Sequence, residues 1–219
     1  MTPVQRAGDI GALASELLQT LSGRLAAAPA RLVVGLTGPP GAGKSTLAEQ
    51  LEADLAERGL LAGTAPMDGF HLSNAVLDAL GRHGRKGAPD TFDVEGYLAL
   101  LDRVRTGADV LAPIYRRDLH EPVAAGSLIS GPGVVITEGN YLALEDHGWH
   151  AARERIDLLI HLEVEPEELA RRLVARHESF GKDRARAAHW VRTVDMPNAR
   201  VVETGAHRCD EVWTVAPQR

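Results

Sequence analysis

The residues best equipped for chemistry lie in the run GPPGAGKST. Gly38, Gly43, Lys44 and Ser45 satisfy G-x-x-x-x-G-K-[ST], the P-loop spacing. Glycines at these places let the backbone curl so that successive N–H groups point inward at phosphate oxygens. A helix that opens near Lys44 adds the positive end of its dipole. Lys44 has the reach to meet β- and γ-phosphates, and the Ser45 hydroxyl is a ligand for Mg²⁺. The expected phosphate cradle is Gly38, Pro39, Pro40, Gly41, Ala42, Gly43, Lys44, Ser45 and Thr46. The context is the one the motif needs: the apolar run Leu32, Val33, Val34 and Leu36 precedes it, and Leu47, Leu51 and Leu55 fall on one face of the helix after it.

Two carboxylates stand where α/β sheets gather chemistry, at strand carboxyl ends. Asp68 follows a modest strand predicted over 60–67, beside Gly69, Phe70 and His71. It can accept a proton from an attacking hydroxyl or hold a metal-bound water; it is also readable as a turn or cap residue. Glu138 closes the buried strand GVVITE, as a carboxylate opposite the P-loop must, so Ser45 and Glu138 form the expected metal pair. Asn140 and Tyr141 follow at the same edge and are placed toward substrate. The basic loop 81–92 offers Arg82, Arg85 and Lys86 for an anionic group, or simply a solvated turn. Tyr115, Arg116, Arg117, His120 and Glu121 cluster on a predicted short strand and loop with a pocket-forming and a surface reading; Tyr115, Arg117, Lys86 and His71 are counted with the substrate contacts, and His120 with the surface. Late in the chain, Arg172 and Arg176 are four residues apart and share a helix face. They suit a lid whose closure brings arginines onto a phosphoryl group and excludes water, or else a cationic helix end favoured by the dipole.

The elements needed to hold these groups are also visible. Ile10, Leu13, Leu17, Leu18, Leu21 and Leu25 give an amphipathic helix over 9–27, stopped by Pro29, that covers the sheet ahead of the first strand. Asp93 reads as an N-cap for a helix with Val94, Tyr97, Leu98, Leu101 and Val104 on its apolar face. IDLLIHLEV is a further strand, Pro166 starts the lid's first helix, Gly181 breaks it, and Asp183 caps a second helix bearing Ala187, Trp190, Val191 and Val194. DMPNA ends the lid, EVWTV is the last strand, and the segment 198–207 is a place to look for an adenine contact. The expectation is one α/β domain over 1–219: a three-layer P-loop NTPase fold, its central sheet mostly parallel and flanked by helices, with a lid near 166–196. The composition, 44% hydrophobic and 25% charged, is that of a globular chain. A net charge of −6 argues against general nucleic-acid binding. The lone Cys209 excludes an internal disulfide and suits a reducing cytoplasm. Neither a signal peptide nor a membrane-spanning run is expected.

GPPGAGKST, MDGFH, RKGAPDTFD, APIYRRDLHEP, ITEGNYL and MPNAR together resemble the phosphoribulokinase/uridine kinase family, which includes bacterial-type pantothenate kinase, and within it the branch labelled nucleoside/nucleotide or fructose-transport kinase. The resemblance runs from about residue 31 to 215. It implies ATP·Mg²⁺ on Lys44, Ser45 and Thr46, Asp68 as base on an acceptor hydroxyl, Glu138 at the metal or substrate, Arg172 and Arg176 as lid arginines, and Tyr115 in the P-x-Y substrate segment. Homodimerisation is frequent in that family. His120-Glu121 replaces the Tyr-Asp pair of pantothenate kinase, and Asp68-Gly69-Phe70-His71 replaces the Asp-Ser-Phe-Tyr run of uridine kinase, so neither substrate transfers. The expected activity is transfer of the ATP γ-phosphoryl group to a hydroxyl of a nucleoside, sugar or pantothenate-like molecule. A nucleotide-driven switch and a non-catalytic nucleotide-binding protein are the alternatives; no N-K-x-D run is present to read guanine.

Overall fold

A computed structural model describes residues 2–25 and 30–216. Six strands form one sheet: β1 (Val4–Gly8), β2 (Arg31–Thr37), β3 (Leu61–Thr64), β6 (Gly133–Glu138), β7 (Leu158–Glu163) and β8 (Glu211–Val215). Their order is β1-β8-β7-β2-β6-β3, and every pairing is parallel. β2 lies inside the sheet, with Leu36 opposite Glu138 on one side and Thr37 opposite His161 on the other. Parallel strands covered on both faces read as unbroken apolar runs, and all seven β2 residues are buried. Leu32, Val34 and Leu36 pack with leucines of α1 (Ile10–Leu25), α2 (Lys44–Glu57) and α5 (Pro166–Ser179). Val33 faces the other way, toward Val135, Leu159 and α4 (Val94–Arg105). These are the three layers expected of a P-loop fold.

Several elements differ from the sequence reading. β1 precedes α1 and adds an edge strand to β8; VQRAG is too polar and too exposed to announce itself. The strand predicted over 60–67 ends at Thr64, because Pro66 has no N–H to continue it and instead leads a 3₁₀ turn, Met67–Phe70, that carries Asp68. Residues 110–129 are not a short strand and loop. They form an antiparallel hairpin, β4 (Val110–Arg116) with β5 (Glu121–Ile129), outside the main sheet. A short helix, α3 (Asn74–Ala79), lies between Asp68 and the basic loop. The helical path after Asp183 does not stop at DMPNA: α6 (Arg184–Trp190) continues through a π turn, Val191–Asp195, into α7 (Met196–Glu203). On it Ala187 and Val191 are buried, whereas Trp190 is exposed and not part of the apolar face. Pro29 lies outside the described residues.

Asp93 caps α4, its Oδ1 accepting from Gly96 N at 2.9 Å. Asp183 caps α6 in the same way, accepting from Arg186 N. The Tyr97 hydroxyl of α4 meets Thr137 Oγ1 at 2.7 Å, and Thr137 Oγ1 donates to Ala65 O at 2.6 Å. That buried chain fastens the residue before Glu138 to the segment leading into Asp68, so the two carboxylates are positioned by a single set of bonds.

Candidate active site

The P-loop joins β2 to α2. A side chain at Gly38 (φ +140°) would put its Cβ 2.4 Å from Leu162 O, so only glycine fits there. Gly43 precedes α2 in the left-handed region (φ +100°), and no side chain caps the helix. The first-turn N–H groups of this fourteen-residue helix are therefore free for an anion. Lys44 Nζ donates to Gly38 O at 2.8 Å and to Pro39 O at 3.0 Å, which holds the ammonium at the centre of the loop. Burial pulls its pKa down to about 8; the charges of Glu138 and Asp68 resist that fall, and Arg176 adds to it. Lys44, Glu138, Asp68 and Arg176 therefore share one electrostatic neighbourhood.

Ser45 Oγ donates to Glu138, with Oε1 at 3.0 Å and Oε2 at 2.9 Å. Burial raises the Glu138 pKa, and Lys44 and then Ser45 work against the rise. A hydroxyl and a carboxylate this close are hard oxygen donors of the kind Mg²⁺ takes. Among the described residues no group of three His, Cys, Asp or Glu side chains is placed to hold a metal alone. One or two protein oxygens suit an ion that arrives with phosphate ligands.

Asp68 sits on its 3₁₀ turn with a side chain 56% exposed, near enough for its charge to act on Lys44, and the turn's Gly69 abuts Pro113 of the hairpin. His71 Nδ1 lies 2.9 Å from Asp68 O, and its ring packs against Phe92 (4.1 Å) and Tyr115 (4.8 Å). Burial lowers the His71 pKa, against the pull of Asp68. Lys86 Nζ donates to Asn74 Oδ1 at 2.8 Å and His120 O at 2.6 Å, and lies 5.4 Å from the Tyr115 ring centroid. His71, Lys86 and Tyr115 are thus brought together beside Asp68. Arg117 is exposed on the hairpin turn, near enough for its charge to act on Glu138.

Other expectations need correcting. Tyr141 does not face substrate: it is 2% exposed, its hydroxyl donates to Gly87 O at 2.7 Å, and burial pushes its pKa up to about 12. Asn140 offers its main-chain oxygen to Thr37 Oγ1 at 3.1 Å, a bond that ties the P-loop strand to the end of β6. Arg82 and Arg85 both pair with Asp90, and Arg116 pairs with Asp118, so these three arginines already have acidic partners. Glu121 caps α3 by accepting from Asn74 N at 3.0 Å. The two late arginines diverge. Arg172 Nε donates to Glu168 Oε1 at 2.7 Å and borders a cavity of about 200 Å³ beside Gly41, Gly43, Thr46, Ile10 and Val215. Arg176 packs over Phe180 at 5.9 Å and is the one of the pair whose charge acts on Lys44. Ala199 and Val202 of α7 are buried in the core, and no residue of 198–207 lines the cavity beside the P-loop.

A family model described as an AAA domain (AAA_18) matches residues 34–192. The protein YggC of Escherichia coli (strain K12) is 38% identical over 175 residues, covering 78% of this chain and 73% of YggC. A crystal structure from Silicibacter sp. TM1040, named "putative fructose transport system kinase", superposes with a TM-score of 0.82 at 37% identity, covering 94% of this chain and 99% of that one. Pantothenate kinase of Enterococcus faecalis is 31% identical over 141 residues, which is 61% of this chain and 45% of that enzyme. The chain belongs to the P-loop kinases of the phosphoribulokinase/uridine kinase family. In this P-loop kinase, Thr37, Thr137 and the hydroxyl of Tyr97, a residue the sequence shows only as part of an apolar face, set the positions of the acidic groups. No local signal marks a hydroxyl whose partner lies on another strand. Glu168 was within reach of reasoning, since Glu168 and Arg172 have the i, i+4 spacing of a helical ion pair.

The kinase also depends on a close approach at Gly69. A Cβ there would lie 2.2 Å from Pro113 O on the hairpin. Gly69→Ala is expected to cost about 1–3 kcal/mol of stability by forcing hairpin and turn apart. Gly84→Ala, with nothing within 4 Å of its Cβ, should cost far less. Paired urea denaturation curves check this, and equal midpoints for the two variants would remove the packing claim.

Proposed function

We propose that the protein transfers the γ-phosphoryl group of ATP to a hydroxyl of a small metabolite. The observation that carries this reading is an accessible carboxylate, Asp68, near a buried lysine and a half-buried hydroxyl–carboxylate pair at one sheet edge. In this reading Gly38 to Thr46 cradle the polyphosphate, and Lys44 neutralises its terminal oxygens. Ser45 and Glu138 would hold Mg²⁺, which when bound supplies charge stabilisation to the phosphoryl oxygens. The cavity bordered by Ile10, Thr46, Arg172 and Val215 supports the nucleobase end. Asp68 orients the acceptor hydroxyl and takes its proton as the new O–P bond forms and the bond to the β-phosphate oxygen breaks, leaving ADP. Arg176 faces the charge in transit. Positioning and electrostatics carry the rate, since little covalent chemistry falls to the protein.

The names of the relatives, pantothenate kinase and fructose transport system kinase, support a hydroxyl acceptor without agreeing on one. The test is ADP release from ATP with and without a dialysed-in mixture of small metabolites, followed by mass analysis for a product heavier by one phosphoryl group. Release that depends on an added metabolite is the expected result. Release indifferent to every addition would leave an ATPase or a binding protein instead.

A further inference from the structure

The acidic groups around Asp68 are already partnered. Asp90 pairs with Arg82 and Arg85, Asp118 with Arg116, Glu121 with the N-terminus of α3, and Asp93 with that of α4. Among the described residues, two cations in the same region lack such a partner. Lys86 is half-buried, and both of its bonded oxygens, Asn74 Oδ1 and His120 O, are neutral. Arg117 makes no hydrogen bond or ion pair among the described residues, although its neighbour Arg116 is paired with Asp118 at 2.7 Å. Both belong to the wall that reaches Asp68. Lys86 lies over Tyr115, Tyr115 packs on His71, and Arg117 follows Tyr115 by two residues, on the turn just past β4, whose Pro113 backs the Asp68 turn.

We infer that the acceptor carries an anionic group, a carboxylate or a phosphate, and that Lys86 and Arg117 bind it while Asp68 holds the hydroxyl. This deepens the phosphotransfer reading and rests on it. Covering Lys86 with a neutral polyol or nucleoside would desolvate an ammonium that has only carbonyl oxygens for partners, which is unfavourable. An anion removes that cost, and the Arg117 fork matches either carboxylate or phosphate in two-point fashion. Lys44 is committed to the phosphate loop by its bonds to Gly38 O and Pro39 O, which leaves Lys86 and Arg117, the latter also near enough to act on Glu138, for the acceptor.

The experiment splits a small-metabolite extract on an anion exchanger into a retained, anionic pool and an unretained pool, and measures ADP release with each. The retained pool is expected to drive release. Activity that survives phosphatase treatment of that pool, with the phosphatase removed before assay, assigns a carboxylate; activity lost assigns a phosphate. Arg117→Glu, an exposed change with little bearing on folding, should raise the amount of retained pool needed for half-maximal rate by at least about tenfold. Lys86→Gln should move it in the same direction. Equal or greater release with the unretained pool, or an unchanged half-saturating amount in Arg117→Glu, overturns the inference and leaves phosphotransfer standing. No release with either pool overturns the phosphotransfer reading, and the inference falls with it.

Discussion

Lys44→Met is expected to lower turnover by at least about 10²–10³ while making the nucleotide-free protein more stable. The first half follows from position: the ammonium sits at the centre of the loop, held by two carbonyls, where a terminal phosphate needs a cation. The second follows from burial. Lys44 is 8% exposed, and its pKa is about 8 against an ordinary 10.5, so the folded chain holds the charged form less readily than the unfolded chain does. The sign is that of a depressed group. The penalty is full below about pH 8, shrinks as pH rises, and is gone above the unfolded value. At pH 7 it is on the order of 3 kcal/mol, reduced by whatever Gly38 O and Pro39 O lose when their donor is removed. Calorimetric unfolding without nucleotide should show Lys44→Met above the wild type. The same titration governs binding. ADP affinity in the wild type should fall as pH climbs beyond about 8, because the neutral amine no longer meets the phosphates, and the methionine variant should lack that inflection. A wild-type affinity flat across that range, or a methionine variant less stable than wild type, would contradict the buried-charge account.

The parts of the molecule that announce themselves in sequence are those whose physics is local. The P-loop is a run of backbone conformations needing glycine at Gly38 and Gly43, so composition and spacing reveal it. β2 and β6 are covered on both faces, so they appear as continuous apolar runs. Asp93 and Asp183 cap the helices that begin one residue later. What stayed hidden is non-local. β1 is held by β8, more than two hundred residues away, and its own side chains are mostly exposed. The hairpin contains Pro113, Pro122 and Gly126, breakers by any local rule, yet a two-stranded sheet leaves edges where a missing N–H costs little. Arg172 and Arg176 share a helix face, but long side chains choose partners individually. Glu168, one turn back, takes Arg172, and Arg176 is left to act toward Lys44. Tyr141 stands next to the site in sequence, but its hydroxyl turns inward to Gly87 and so braces the basic loop.

Asp68→Asn should lower kcat by about 10²–10⁴ with nucleotide binding largely retained at neutral pH. Asparagine keeps the shape of the side chain and its place on the turn, so the loss isolates the negative charge and the capacity to take a proton. The turn itself is held by main-chain bonds that this change does not touch: Asp93 N donates to Phe70 O at 2.8 Å, and Leu72 N to Thr91 O at 2.9 Å. A second readout separates chemistry from simple damage. The Asp68 charge helps to hold the Lys44 proton, so removing it should move the onset of weakening ADP affinity below the wild-type value near pH 8. A misfolded or displaced turn would weaken binding at every pH, whereas loss of one charge shifts the inflection and leaves the low-pH affinity in place. Glu138→Gln is the useful contrast. It removes the carboxylate charge beside Ser45, so Mg²⁺-dependent nucleotide affinity should drop together with turnover. If Asp68→Asn turns over at the wild-type rate, the proton is taken elsewhere and this aspartate leaves the mechanism. If it loses Mg²⁺-dependent affinity as Glu138→Gln does, its place is at the metal and not at the acceptor.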